Sequence, residues 1–138
     1  MIMFKTILVP IDIGYADESN NLINIAAANG NEDARIILLN VVEEIPKWAA
    51  VELPRGIQQK SFKTSQEELA KIASAASVKT EVEVRVGHPY HTILEVAAEK
   101  GVELIVIASH KPMLQDYLLG STAAKVVRHA SCSVLVMR

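Results

Sequence analysis

A glycine and two hydroxyl residues stand directly before an apolar helical pattern near the end of the chain, as Gly120, Ser121 and Thr122. The first turn of a helix leaves backbone N–H groups unpaired and carries the positive end of the helix dipole, so it attracts anions. Glycine permits close approach of a ligand, and the hydroxyls add hydrogen-bond donors. The triplet is therefore a candidate phosphate site. Ser or Thr at such a position is also typical of an ordinary helix cap that binds no ligand.

Other residues that could contact a phosphate or a sugar follow two apolar strand patterns. Asp12 follows the first pattern, and Ser109, His110 and Lys111 follow the fourth. The Asp12 carboxylate can accept a hydrogen bond from a ribose hydroxyl or hold a cation near phosphates, and it is equally consistent with a solvated acid at a strand end. Lys111 would bring a mobile cation to the anion. His110 would stack on a nucleotide or donate to it, or be an ordinary surface histidine.

Five apolar runs of strand length must position these residues. Four of them are nearly continuous in Ile, Val and Leu, which is typical of strands covered on both faces. The remaining run, TEVEVRV, alternates between apolar and polar residues, so it is predicted to lie near a sheet edge with one wet face. The predicted strands are 4–11, 35–42, 80–86, 104–109 and 133–137.

Segments of helical period alternate with these strands, at about 17–28, 57–76, 89–101 and from 121 onward. The stripe of the last segment, which includes Val127, is predicted to face the sheet. Alternating strands and helices form βα units around a parallel sheet. The expected fold class is α/β, an open five-stranded parallel sheet of order 3-2-1-4-5 with helices on both faces.

Ligands of such sheets bind outside the carboxyl ends of the strands, where the strand order reverses. In the order 3-2-1-4-5 this point lies between the first and fourth strands. Val41, at the end of the second strand, is expected to form a neighbouring wall. The candidate residues at the two central strand ends are Pro10, Ile11, Asp12, Ala108, Ser109 and His110.

The composition is typical of one soluble globular domain over residues 1–138. Half of the 138 residues are hydrophobic and 22% are charged, which is enough for one substantial core. The formal net charge is −2, so no general field attracts nucleic acid. The first residues form a strand pattern rather than a signal or membrane segment. A single cysteine, Cys132, excludes an internal disulfide and suits the cytoplasm.

The sequence lacks the motifs of three common classes of α/β protein. The loop after the first strand, IDIGYADES, lacks the G-x-G-x-x-G of dinucleotide folds, and no G-x-x-x-x-G-K-[ST] occurs. A phosphoacceptor receiver needs an aspartate after the third strand, where the chain reads VGHPY. His88 and His91 lack a third ligand at recognisable spacing, so no metal site is predicted, and no catalytic nucleophile with its base is apparent. Trp48, in the long connection at 43–56, is predicted to be a packing anchor.

Four stretches of the chain resemble the universal stress protein family: KTILVPID, LLNVV, VGHPYHTILEVAAEKGVELIVIASH and LLGSTAAKVVRHASCSVLVMR. Nucleotide-binding members of that family carry Gly-x2-Gly-x9-Gly-(Ser/Thr) between the fourth strand and the next helix. Gly120 and Ser121 match the end of this motif, whereas Ala108 and Lys111 stand at its two earlier glycine positions. The form ASHKP resembles a branch of the family in which Ser-His-basic-Pro replaces the glycine loop.

The resemblance implies a Rossmann-like, adenine nucleotide alpha hydrolase-like fold that binds ATP, ADP or AMP, with Mg²⁺ as a candidate companion ion. It implies adenine between Ile11 and Val41, and ribose near Asp12 and Ala108. It also implies a homodimer joined through the last strand. The uncharged run SVLVM agrees, because an unprotected apolar edge tends to pair. The phosphates are expected over Ser109, His110, Lys111, Gly120, Ser121 and Thr122.

Three functions follow as hypotheses. The first is a cytoplasmic stress-response protein that binds an adenine nucleotide and acts as a regulatory or protective module rather than an efficient catalyst. The second is a slow ATPase or self-phosphorylating protein, in which Asp12 holds Mg²⁺ and Ser121 or Thr122 accepts the phosphate. The third is a dimeric interaction module that does not bind nucleotide.

Overall fold

The computed structural model describes residues 3–109 and 119–138. The strands are β1 (Phe4–Pro10), β2 (Gly30–Glu43), β3 (Glu81–Gly87), β4 (Leu104–Ala108) and β5 (Ser133–Met137). The helices are α1 (Ala16–Asn29), α2 (Lys47–Ala50), α3 (Ile57–Ala75), α4 (Pro89–Lys100) and α5 (Ser121–His129), and a 3-10 turn covers Ile13–Tyr15. Strands alternate with helical segments along the chain, as the apolar runs predict, and the segment between β2 and β3 contains two helices, α2 and α3.

The five strands form one parallel sheet in the order β3-β2-β1-β4-β5. The predicted fold class and strand order are therefore confirmed. At the centre, Ile7 of β1 lies opposite Ile36 of β2 and Leu104 of β4. The helices that follow β1 and β4 pack on opposite faces of the sheet, which leaves a crevice between the carboxyl ends of these two strands.

Two layers of buried side chains hold the helices against the sheet. Along β1, Ile7 and Val9 point into one layer and Leu8 into the other, because successive side chains of a strand alternate between faces. The first layer contains Leu22, Ile23 and Ala26 of α1 and Leu69 of α3. The second contains Ile93, Val96 and Ala97 of α4 and Ala123 and Val126 of α5.

The ends of α4 follow from two residues with special backbones. Pro89 occupies the first helical position, where its missing N–H costs no hydrogen bond. Gly101 ends the helix in the left-handed region, with φ 63°, which a residue with a Cβ rarely adopts. The N–H of Val102 then donates to the carbonyl of Ala97 at 2.9 Å. These ends place the start of α4 beside the carboxyl end of β2.

The edge position predicted for the alternating run is confirmed, because β3 is an outer strand of the sheet. The charged side chains of its polar face form ion pairs instead of only contacting solvent. Arg85 lies 2.8 Å from Glu83 and also forms an ion pair with Glu99 of α4. Lys100 pairs with Glu83 at 3.2 Å. The charged residues of β3 therefore join this edge to the last turn of α4.

Two predictions about apolar side chains were wrong. Trp48 is not a packing anchor within the chain, because its side chain is 79% exposed. It lies in the short helix α2, which follows Pro46 and runs along the surface instead of across the core. Val127 was expected on the buried stripe of α5 and is 45% exposed. In a helix of two and a half turns, the buried stripe is narrow enough to include Val126 and leave out its neighbour.

Candidate functional site

A cavity of about 550 Å³ opens at the carboxyl ends of β1, β2 and β4. It reaches from the apolar side chains of the sheet to the first turn of α5. The residues from the predicted site that line it are Pro10, Ile11, Asp12, Val41, Ala108, Gly120, Ser121 and Thr122. His110 and Lys111 lie outside the described residues. The sequence-predicted residues from four separated parts of the chain therefore meet at one cavity.

Both backbone hydrogen-bonding groups of Ile11, the residue after β1, are paired with β2. The N–H of Ile11 donates to the carbonyl of Leu39 at 2.7 Å. The side-chain amide of Asn40, buried in β2, donates to the carbonyl of Ile11 at 2.8 Å. A buried amide must be paired to avoid a large desolvation cost, so Asn40 holds Ile11 at one position in the cavity wall.

Asn40 was not identified from the sequence as a site residue. Its signal was a single amide within the apolar run LLNVV, where a hydrophobic side chain would otherwise be expected. The position of its partner, Ile11, depends on the pairing of β1 with β2. Only the sheet register could show that this amide supports the cavity.

Asp12 stands at the exposed rim, where the chain leaves β1. One of its carboxylate oxygens accepts the N–H of Gly14 at 3.0 Å. Its carbonyl accepts the N–H of Tyr15 at 2.9 Å, which begins the 3-10 turn. These local hydrogen bonds orient the carboxylate at the mouth of the cavity, where it can meet a hydroxyl or a cation.

The start of α5 presents unpaired backbone donors to the cavity. Gly120 is the N-cap residue, with φ −61° and ψ 153°, and no side chain among the described residues caps the helix. Ser121 and Thr122 are therefore residues of the first turn rather than the cap. The first N–H groups of a helix have no partner within it, so those of Ser121, Thr122 and Ala123 are available to an anion.

Ser109 links the end of β4 to the start of α5. Its hydroxyl accepts the N–H of Gly120 at 2.7 Å, and its own N–H donates to the carbonyl of Met137 at 2.8 Å. Ser109 does not belong to the lining of the cavity. In this structure its side chain positions Gly120, so its contribution to the site is support for the helix start.

The remaining wall includes apolar residues beside Glu43 and Ser65, and part of it comes from α4, which the sequence did not connect with the site. Leu39 and Ile107 contribute from the sheet, and Pro89 and Ile93 contribute from the first turns of α4. These residues carried no chemical signal in the sequence, because hydrophobic residues at strand and helix spacing indicate only a core. Their exposure to a ligand follows from the gap left at the strand ends.

The described part of the chain was also searched for a metal site, a reactive thiol and a membrane-spanning helix. In residues 3–109 and 119–138, no three His, Cys, Asp or Glu side chains are grouped to hold a metal ion. Burial raises the pKa of the Cys132 thiol, which keeps it protonated and a weak nucleophile. Among the helices of these same ranges, none has both the length and the apolar character to cross a membrane.

Comparison with known proteins finds relatives over the whole of this fold. The chain is 30% identical to Universal stress protein G of Escherichia coli O157:H7 over 145 aligned positions, covering 99% of this chain and 100% of the relative. Among solved structures, hypothetical protein MJ0577 aligns with a TM-score of 0.79 at 26% identity, covering 99% of this chain and 96% of that one.

Two further structures share the fold at lower identity and contain nucleotides. A universal stress protein in complex with cAMP aligns with a TM-score of 0.64 at 22% identity, covering 99% of this chain and 98% of that one. The universal stress protein from Archaeoglobus fulgidus in complex with dAMP aligns with a TM-score of 0.72 at 18% identity, covering 100% of both chains. The sequence also matches the model of the Universal stress protein family over residues 3–138. The chain therefore belongs to the universal stress protein family.

Proposed function

We propose that this chain is a single-domain, cytoplasmic stress-response protein that binds an adenine nucleotide in the cavity at the ends of β1 and β4. The observation that carries the proposal is the continuity of the cavity, which extends from apolar walls at Ile11 and Val41 to the start of α5, which no described side chain caps. An adenine ring favours the first environment and a phosphate the second. The volume of about 550 Å³ lies within the range of small-molecule sites.

The proposed placement of the ligand is the one that the family resemblance implies, and the polarity of the walls supports it. Adenine lies between Ile11 and Val41, and the ribose lies near Asp12 and Ala108. The first phosphate lies against the N–H groups that follow Gly120. His110 and Lys111 remain predicted phosphate contacts. This assignment gives each part of the nucleotide a surface of matching polarity.

A Mg²⁺ ion fits this arrangement with one protein ligand. Magnesium in nucleotide sites keeps several waters and is held by one or two carboxylates together with phosphate oxygens. Asp12 is the carboxylate at the rim beside the ribose position. When bound, the ion would neutralise part of the phosphate charge.

The proposed role is regulatory or protective, through occupancy of the site rather than turnover. A ligand that binds the native state stabilises it by an amount that grows with the ratio of its concentration to its Kd. Clamping of Ile11 by Asn40 and of Gly120 by Ser109 gives a site whose backbone is held before the ligand arrives. Nucleotide level would thereby set the stability of the sheet ends and the surface that they offer to partners.

The test is the substitution Gly120→Asp, which places a carboxylate where the first phosphate should bind. Aspartate is a favoured N-cap residue and the backbone of Gly120 has negative φ, so the fold should be retained. We expect calorimetric binding of AMP, ADP and ATP to fall by about a hundredfold or more, the effect of roughly 3 kcal/mol. Ser131→Asp is the matched control, because Ser131 is exposed just before β5, at the opposite end of the sheet.

Equal nucleotide affinity in the wild type and Gly120→Asp would contradict the proposed site. Circular dichroism melts of both variants would show that the fold is retained. Incubation with labelled ATP tests for catalysis in the same samples. Steady release of phosphate, or stoichiometric labelling of a serine or threonine, would replace the binding role with the ATPase or self-phosphorylation hypothesis.

The proposal includes a homodimer formed through β5. This strand is an outer strand of the sheet, and its residues Ser133–Met137 carry no charge. Its apolar side chains, Val134, Leu135, Val136 and Met137, are only partly buried in the chain. Pairing with a second β5 about a two-fold axis would satisfy the outward backbone groups and cover these side chains.

A further inference from the structure

A second cavity, of about 230 Å³, adjoins the first between the starts of α4 and α5. Both cavities are lined by Glu43, Pro89, Ser121 and Thr122. The two hydroxyl residues that face the proposed first phosphate therefore also face the second cavity. A ligand that extends beyond the first phosphate can continue into this space without leaving the start of α5. The residues that line only the second cavity are His88, Tyr90, His91 and Lys125.

The side chains around the second cavity are mostly hydrogen-bond donors or cations. The Lys125 ammonium lies 5.0 Å from the centre of the Tyr90 ring, a distance that allows a cation–π interaction. The Tyr90 ring stacks on the His91 ring, with 4.3 Å between their centres. These contacts hold an ammonium and an imidazole beside the same aromatic ring, at one side of the cavity.

The two helix starts reinforce this positive character. Neither α4 nor α5 has a side-chain cap among the described residues, so the first N–H groups of both remain available. The N-cap residue of α4 is His88, whose imidazole also lines the cavity. Glu43 is the one carboxylate among the described lining residues. Hydrogen-bond donors from two helices therefore surround the second cavity, and one carboxylate lies among its described lining residues.

A bound metal ion would not match this set of groups. The ring centres of His88 and His91 are 6.5 Å apart, and within the described ranges no third metal-binding side chain completes a group with them. Lys125 would also repel a cation. An anion with several acceptor oxygens matches a lysine, two histidines, a tyrosine hydroxyl and the hydroxyls of Ser121 and Thr122.

We propose that the second cavity binds the terminal phosphate of an adenine nucleotide, so that this chain prefers ADP and ATP to AMP. The inference rests on the proposed function, because the first cavity must hold the nucleoside for the second to receive a phosphate. A monophosphate ends at Ser121 and Thr122, whereas a longer phosphate chain reaches Lys125, His88 and His91. Lys125 contributes charge, and the histidines contribute hydrogen bonds that select against the shorter ligand.

The experiment compares AMP, ADP and ATP by calorimetry on the wild type, on Lys125→Ala and on the double variant His88→Gln/His91→Gln. We expect Lys125→Ala to weaken ADP and ATP binding by about tenfold, which is the effect of losing one charge-assisted contact, and to leave AMP binding unchanged. The double variant should reduce the same preference by several fold. Lys63→Ala, an exposed lysine of α3 outside both cavities, is the matched control.

A second readout locates the phosphate directly. In nuclear magnetic resonance spectra, the imidazole signals of His88 and His91, assigned with the single Gln variants, should shift on addition of ADP but not of AMP. The same spectra confirm that Lys125→Ala is folded. Glu43→Gln removes the carboxylate at the rim and should strengthen ADP binding relative to AMP.

The outcomes separate the inference from the function on which it rests. If the wild type binds AMP and ADP equally and Lys125→Ala affects both or neither, the second cavity is not a phosphate site although nucleotide binding stands. If no adenine nucleotide binds the wild type, both are overturned. Selective loss of ADP and ATP affinity, together with shifts of the two histidines, supports the inference.

Discussion

The two outer strands of the sheet carry residues of opposite character. β3 carries alternating charges, and its Arg85 is surrounded by Glu83, Glu95 and Glu99. β5 carries only apolar residues and one serine. Charge at an edge discourages strand pairing, whereas an apolar edge promotes it. This difference is the basis of the proposed dimer, in which β5 is covered and β3 stays unpaired.

The largest expected effect comes from changing the backbone of β5. The carbonyl of Met137 accepts the N–H of Ser109, so the backbone groups of Val136 point to the open side of the strand. Val136→Pro removes one outward N–H, a change that an edge strand tolerates. We expect the wild type to have the mass of a dimer by light scattering and Val136→Pro to have that of a monomer.

Val136→Thr is the control for that substitution, because it keeps the N–H and the β-branched shape. It should remain a dimer. A monomeric wild type, or a dimeric Val136→Pro with an unchanged dissociation constant, would remove the proposed interface and with it the contrast between the two edges.

A smaller effect is expected at the charged edge. Arg85→Ala leaves Glu83, whose carboxylate is largely enclosed, with Lys100 as its remaining ion-pair partner among the described residues. We expect the free energy of unfolding, measured with urea, to fall by about 1 kcal/mol. The mass in solution should not change. Lys63→Ala serves again as the control, and a change of oligomeric state in Arg85→Ala would show that β3 also contributes to assembly.

The smallest effect is the pH dependence of the same edge. The hydrogen bond from Arg85 lowers the pKa of Glu99 below its ordinary value of 4.5, and Arg35 does the same for Glu81. A carboxyl group with a lowered folded-state pKa stabilises the fold above its unfolded pKa, and this contribution is lost as the pH falls through the folded value. The stability difference between the wild type and Arg85→Ala should therefore be full at pH 7 and shrink as the pH falls below 4.5.

Urea titrations of both proteins between neutral pH and about pH 3 would measure this difference. Added salt should also reduce it, since these side chains are partly exposed and their interaction is screened. A difference that stays constant with pH would show that Arg85 acts through packing of its aliphatic stem rather than through its charge.

Much of the fold could be predicted because its signals are periodic. The apolar runs of β1 and β4 are covered on both faces, so nearly every residue is hydrophobic, while the alternation in β3 identified it as an edge strand. The ends of α4 were also predictable from Pro89 and Gly101. The early start of β2 at Gly30 was not predicted, because residues 31–33 are polar and the pairing of this part of β2 with β1 includes an irregular register.

The sequence by itself determined the alternation of strands and helices and the candidate phosphate residues, because periodicity and backbone chemistry are local properties. The sheet order followed from that alternation through the right-handedness of βα connections. Tertiary structure decided that Asn40 clamps Ile11, that Ser109 positions Gly120, and that the start of α4 joins the start of α5 around a second cavity. These arrangements depend on distances between residues far apart in the chain. Such distances are fixed only when the two hydrophobic layers pack the helices against the sheet.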